Sequence, residues 1–145
     1  FIGVDVYING IVKVLKKILE HGIENIILSN LNCLFFLDSL APKSIDNLTI
    51  INPDPWMKKK HHKRRLISFQ NIQLFNHVTK YKHSIKITTD SASYVKAIQE
   101  IFNEKKEFLD DLKFEILNKN DDLYGISRYQ RKAIEKGQNI YLLTI

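Results

Sequence analysis

A chain of 145 residues with 44% hydrophobic and 26% charged side chains suits one soluble globular domain, and no apolar run approaches the roughly 20 residues that a membrane-spanning helix needs. Cys33 is the only cysteine, which excludes a disulfide framework and a cysteine-built metal site and points to a reducing, cytoplasmic setting. The formal charge is +6, and the excess is concentrated: Lys58 to Arg65 holds six Lys or Arg, two His and no acid, a cluster that fits a polyanion, nucleic acid before an anionic membrane surface.

The opening, "FIGVDVY" (1–7), is rich in Val, Ile and aromatics and reads as a buried strand; so apolar a start, without Met, reads as a fragment or the tail of a longer chain. Asn9-Gly10 is a turn signal. In "IVKVLKKILEHG", Ile11, Leu15, Ile18 and Leu19 fall at helical spacing and Gly22 is a natural stop. "NIILS" (25–29) predicts a strand, "NCLFFLDSL" (32–40) a short helix ended by Pro42, and "IDNLTII" (45–51) a third strand that runs into a Pro-Asp-Pro turn. Beyond the basic run, Phe69, Ile72, Phe75 and Val78 predict a helix, and "SIKITT" (84–89) a strand. Asp90 or Ser91 caps the next helix, whose apolar face is Tyr94, Val95, Ile98, Ile101 and Phe102. "LKFEIL" (112–117) alternates like a strand, 118–125 reads as a loop, 127–136 as a helix ended by Gly137, and "NIYLLT" (139–144) as the last strand.

Strands alternate with helices along the whole length, which argues an α/β fold with a mostly parallel sheet covered by helices on both faces. Ligands of such sheets bind beyond the carboxyl ends of the strands. Asp5, Asp54 and Asp90 fall at or just after such ends, and Asn32 follows another. Asp5 could accept the hydroxyls of a ribose or simply cap or solvate a strand end. Asn32 could face a base edge or be a helix N-cap. Asp54 lies between Pro53 and Pro55, which stiffen the backbone around it, and a pre-positioned acid loses little freedom on binding. Trp56 beside it offers a flat surface for a base, or is a half-buried turn residue. The run Lys58–Arg65 is a phosphate footprint or a solvated basic loop. His61 and His62 are adjacent, the wrong spacing for one metal from a helix face, and no metal site is expected. Arg128, Tyr129, Arg131 and Lys132 form a second rim of a polyanion site or an exposed helix face.

The stretch "NPDPWMKKKHHKRRL" (52–66) resembles the signature of the bacterial single-subunit tRNA (guanine-N7)-methyltransferase family, and "FIGVDVY" (1–7), "ITTD" (87–90) and "SRYQRKAIEKGQNIYLL" (127–143) are similar to further segments of that family in the same order. The resemblance implies a Rossmann-like class I methyltransferase, with residues 1–145 as one partial domain, that uses S-adenosylmethionine to methylate N7 of a guanine in the variable loop of tRNA. It implies Asp54 as catalytic residue and, with Asp5 and Asn32, as cofactor contact. It implies Lys58, Asp90, Ser127, Arg128, Tyr129 and Gln130 as substrate contacts, and Lys60, His61, His62, Lys63, Arg64 and Arg65 as RNA contacts. No membrane or metal partner is implied, and a monomer is favoured. Guanine N7 carries a lone pair, so alignment with the sulfonium methyl does most of the work; Asp54 either orients the base through its N–H donors or stabilises the cationic product.

The chain departs from the family pattern in three ways. The first strand and glycine-rich cofactor loop lie outside it, and its five glycines form no G-x-G-x-x-G; loss of that strand leaves its neighbours with unpaired edges. Asn32 and Gln130 are amides where the family has acids. "KYKHS" (80–84) lacks a glycine turn. A non-catalytic RNA-binding remnant of such an enzyme is the alternative reading.

Overall fold

Apolar spacing sets most element boundaries. The computed structural model describes residues 1–82, 84–109, 113–117 and 127–145. Its elements are β1 (Ile2–Val4), α1 (Ile8–Glu20), β2 (Ile27–Ser29), α2 (Cys33–Asp38), β3 (Leu48–Ile51), a basic 3₁₀ helix (Lys59–Arg64), α3 (Phe69–Val78), β4 (Ile85–Thr89), α4 (Ala92–Glu104), β5 (Lys113–Leu117), α5 (Arg128–Glu135) and β6 (Ile140–Thr144). They gather into two compact units, Phe1–Ala41 and Pro42–Ile145.

In the first unit β1 and β2 pair in parallel, Ile2 opposite Ile27 and Val4 opposite Ser29. The expected strand over 1–7 stops at Val4 because Asp5 turns the chain: its Oδ1 accepts the Tyr7 N–H at 2.8 Å. That turn also corrects the reading of Asn9-Gly10. Both residues lie inside α1, whose first turn is already closed by the Gly10 and Ile11 N–H groups donating to the Tyr7 carbonyl. At the other end Gly22 adopts φ +59°. Its N–H donates to Leu19 O, and the Ile23 N–H to Ile18 O, the paired bonds of a Schellman stop that a Cβ would disfavour. Ile18 and Leu37 are the buried apolar residues of this unit, while Val12, Leu15 and Leu19 on α1 remain exposed.

The second unit holds a four-stranded sheet in the order β3-β4-β6-β5. β3 runs parallel to β4, and β6 runs antiparallel to both β4 and β5, so β3, β4 and β5 share one direction. Among the described residues β1 pairs only with β2, and β3 only with β4. The core collects Ile72, Phe75 and Val78 from α3, Ile85 and Ile87 from β4, Tyr94 and Ile98 from α4, and Leu143 from β6, each 0–1% exposed. A buried Ile or Leu of this kind contributes about 1.5–3 kcal/mol relative to exposure. Helix starts follow their caps: Ser68 Oγ accepts from Asn71 N, and Ser91 Oγ from Tyr94 N. The cap of α4 is therefore Ser91 and not Asp90, which leaves the Asp90 carboxylate outside the helix-capping role. The expected loop 118–125 lies outside the described residues.

Candidate active site and nucleic-acid interface

Parallel pairing brings the carboxyl ends of β3 and β4 side by side, and the register places Ile51 opposite Thr88. The next residue, Asn52, extends the link: its N–H donates to Thr88 O at 2.8 Å, and Thr88 Oγ1 donates to its Oδ1 at 3.4 Å. Asn52 then turns out of the strand with φ +46°, and four residues later Trp56 has φ +44°. Asn tolerates this left-handed region, whereas for a bulky Trp it is an outlier. Such residues cost about 1–3 kcal/mol each and persist where the surroundings over-determine them. Pro53 and Pro55 fix φ between these two points, so Asp54 is presented, exposed, on a short arch with little freedom of its own. Asn52 Nδ2 is buried with no hydrogen-bond partner, a further cost of about 1–3 kcal/mol that the local fold absorbs at this place.

The basic run folds as a 3₁₀ helix because its first and last turns close on themselves, His61 N to Lys58 O at 2.8 Å and Arg65 N to His62 O at 3.0 Å. A short turn of this kind fans the cations around one axis. Lys58, Lys59, Lys60 and Lys63 are exposed. Arg64 places its guanidinium carbon 5.0 Å from the Trp56 ring centroid, and His61 meets the same ring edge-on at 5.6 Å. Arg65 turns inward: its Nε donates to Pro55 O at 2.8 Å, and its guanidinium lies 5.0 Å from the Tyr94 ring centroid. Tyr94 is 0% exposed, and its hydroxyl accepts the Ile67 N–H at 2.9 Å. Burial pushes the Tyr94 phenol above its ordinary range; the Ile67 N–H and the Arg65 cation pull it back, and the Asp54 charge adds to the rise.

The arch also rests on the start of α4. Ser93 Oγ and Ser91 Oγ reach the Met57 sulfur at 3.6 and 3.9 Å, so Asp90, half-buried just ahead of Ser91, belongs to the same neighbourhood as Asp54 and Lys58. The antiparallel registers Thr89 opposite Tyr141 and Leu117 opposite Ile140 put the end of β5 and the start of β6 at this end of the sheet. α5 leads into β6 and packs against it. Ser127 and Gln130 close a capping box there: Ser127 Oγ accepts from Gln130 N at 3.2 Å, and Gln130 Oε1 accepts from Ser127 N at 2.8 Å. A neutral amide performs this reciprocal bond as well as an acid does. Arg128 is exposed, and Tyr129 lies in the first turn of α5.

In the first unit the parallel pair β1–β2 brings Asp5 and Asn32 to one end. Asp5 N donates to Ser29 O at 3.1 Å, and Asn32 caps α2, its Oδ1 accepting from Leu34 N at 3.0 Å. Both bland roles are therefore real, and each leaves capacity over. A carboxylate offers about four lone-pair sites, of which the turn to Tyr7 takes one; the Asn32 amide keeps its NH₂ as a donor. A vicinal diol on Asp5 and an acceptor edge of a base on Asn32 fit this donor and acceptor set. Burial raises the Cys33 thiol above its ordinary range; backbone N–H bonds lower it and the Asp5 charge adds to the rise.

Sequence reasoning located the arch, its acid and its cations. It missed Arg65 as an internal partner, the strained Asn52, and the Met57–serine contacts. One signal was available: Tyr94 is the one residue of the apolar face of α4 with a polar tip, which when buried finds a partner. Among the described residues no group of three or more His, Cys, Asp or Glu could hold a metal ion, and no helix is long and apolar enough to cross a membrane.

A family model whose description reads "Putative methyltransferase" matches residues 1–143. A bifunctional methyltransferase of Rickettsia felis is 33% identical over 140 residues, 93% of this chain and 25% of that protein. A tRNA (guanine-N(7)-)-methyltransferase of Bartonella henselae is 32% identical over 99% of this chain and 63% of its own length, and one of Marinobacter nauticus is 27% identical over 97% and 60%. The chain thus spans a quarter to under two thirds of these relatives. The crystal structure of a SAM dependent methyltransferase from Archaeoglobus fulgidus aligns with 99% of this chain and 74% of its own, at TM-score 0.54 and 17% identity, a likeness of fold.

Proposed function

The chain belongs to this methyltransferase family, and from that premise we propose that it transfers a methyl group from S-adenosylmethionine to N7 of a guanine in tRNA. The observation that carries the proposal is the braced arch: Asp54 between two prolines at the carboxyl end of β3, with a turn of exposed lysines directly after it. An acid held in this way can read a base, and the cations can hold the phosphates that lead to it. The identities of the relatives support the choice of tRNA and of guanine N7.

S-adenosylmethionine, when bound, supplies an electrophilic methyl group on a sulfonium. Asp5 and Asn32 are its proposed contacts in the first unit, through the ribose hydroxyls and the base edge. Asp54 accepts the N–H donors of guanine, which turns N7 to the free side and offsets the positive charge that the ring gains on methylation. N7 gives up a lone pair and no proton leaves it, so Asp54 has no proton to abstract. Lys58 and Asp90 border the bound nucleoside, the first at a phosphate, the second at base or ribose donors. Lys60, His61, His62 and Lys63 line the strand on the outer side of the basic helix, and Ser127, Arg128, Tyr129 and Gln130 supply the far rim. A monomer in the cytoplasm is the setting this reading takes.

The test is methyl transfer from labelled S-adenosylmethionine to tRNA by the full chain. Replacing the guanine by 7-deazaguanine in the variable loop removes the accepting nitrogen and should abolish incorporation. Asp54→Ala should lower the rate by about 10³-fold or more, the scale of a lost electrostatic partner, with tRNA affinity within about threefold. Equal loss of both would make Asp54 a structural residue. Binding of tRNA without any transfer would favour an RNA-binding remnant.

A further inference from the structure

Arg65 stands apart from the other cations of its run. Four things converge on it. Its Nε is bonded to the carbonyl of Pro55, the residue directly after Asp54. Its guanidinium covers the ring of Tyr94. Tyr94 is in turn locked by the Ile67 N–H and is fully buried. Arg65 is itself half-buried, whereas Lys58, Lys59, Lys60 and Lys63 are exposed. A guanidinium can hold a carbonyl and lie flat on an aromatic ring at once; an ammonium is a point charge and cannot do both. The arch it touches is strained at both ends, at Asn52 and Trp56, and strain of that kind needs an external brace. The Asn52–Thr88 bonds brace one end. Arg65 is the brace at the other.

We propose that Arg65 is a positioning residue that clamps the Pro53–Trp56 arch onto α4 and so fixes Asp54, and that it is not one of the residues gripping RNA phosphates. This deepens the reading above and rests on it for the meaning of Asp54. It divides the basic run Lys58–Arg65 into two functions. The lysines attract and hold a polyanion; the final arginine reports and stiffens the site those lysines serve.

Trp56 is the only tryptophan of the chain and is next to the clamped carbonyl, so its fluorescence reads the arch without any need for activity. Three variants of the full chain separate the roles: Arg65→Met, Arg65→Lys and Lys63→Met. Arg65→Met should raise acrylamide quenching of Trp56 about twofold and lower methyl transfer about 10- to 100-fold, the scale of a small misplacement at a reacting centre. The tRNA affinity in that variant should stay within about threefold, with an unchanged salt slope. Arg65→Lys keeps the charge and should recover only part of the rate. Lys63→Met should lower the salt slope by about one and leave Trp56 quenching as in the parent. The proposal is overturned if Arg65→Met lowers the salt slope by about one with Trp56 unmoved, or if Arg65→Lys restores full activity, since a phosphate contact accepts either cation. If the parent chain neither binds tRNA nor transfers methyl, the functional reading falls, while the quenching of Trp56 still decides whether Arg65 holds the arch.

Discussion

Asp5 and Asp54 are both acids just beyond the end of a strand, yet the protein holds them by different means. Asp5 depends on one local turn and on the two-stranded pair behind it, in a unit whose buried apolar residues are Ile18 and Leu37. Asp54 sits on an arch fixed by two prolines, by Thr88, by Arg65 and by the serines at Met57, above a sheet packed on both α3 and α4 residues. The lesson is about what each acid must do. On the proposed reading, Asp5 holds hydroxyls and can adjust as its ligand arrives, whereas Asp54 sets the approach of one nitrogen, where a misplacement of about 1 Å can cost about 10²-fold in rate. The second unit ties this arch to its core, because Arg65 joins the Pro55 carbonyl to the fully buried Tyr94.

The largest effect should separate the two cores. Phe75→Ala, at a side chain 0% exposed, should destabilise the chain by about 3–5 kcal/mol, read as a lower denaturation midpoint in urea. Leu19→Ala on α1, at 73% exposure, should change it by less than about 0.5 kcal/mol. A cost above about 1 kcal/mol at Leu19 would mean that the apolar face of α1 is covered in solution, and the contrast between the units would fail.

A smaller effect should separate the two acids. Asp5→Ala should weaken S-adenosylmethionine binding about tenfold, which corresponds to about 1.4 kcal/mol, and leave tRNA affinity unchanged; isothermal titration of each ligand reads both. If Asp5→Ala leaves cofactor affinity intact, its turn to Tyr7 is its whole role, and the comparison becomes one between a structural acid and a functional one.

How much of this was legible beforehand differs between the same regions. Periodicity and composition found the strands and α-helices of the described residues but not the basic 3₁₀ helix, because α3 and α4 bury one clear stripe whereas the run Lys59–Arg64 has no apolar residue to set a period. They missed the start of α1, where a single bond from Tyr7 N to Asp5 overrode the Asn9-Gly10 signal; composition does not record which of two competing turns closes first. The Pro-Asp-Pro arch and its cations were readable because their chemistry is local in sequence. The split of the basic run was not. The six Lys and Arg of the run look equivalent until folding brings Tyr94, about thirty residues on, beneath one of them. Arg65 differs from Arg64 only in what the tertiary structure sets against it.

A change confined to the alkaline range tests the clamp from its far side. Burial is the main cause that raises the Tyr94 phenol, so the folded chain keeps the proton that the unfolded chain releases. The stability this contributes is fully present below the ordinary phenol pKa of about 10 and is lost as pH rises through the higher folded value. Cys33, raised mainly by burial, and Lys80, raised mainly by its bond to Asp46, shift in the same direction, so an alkaline decline of the parent chain would not by itself identify Tyr94. The pair of parent and Tyr94→Phe does. At neutral pH the variant should be less stable by about 1–3 kcal/mol, because the Ile67 N–H loses its acceptor in a dry place. From about pH 10 upward the parent pays the ionisation penalty and the variant does not, so the gap between their urea midpoints should narrow. A gap that stays constant across that range would show that the phenol is reached by water, and the Arg65–Tyr94 contact would then be a surface stack without the stiffness that the arch requires.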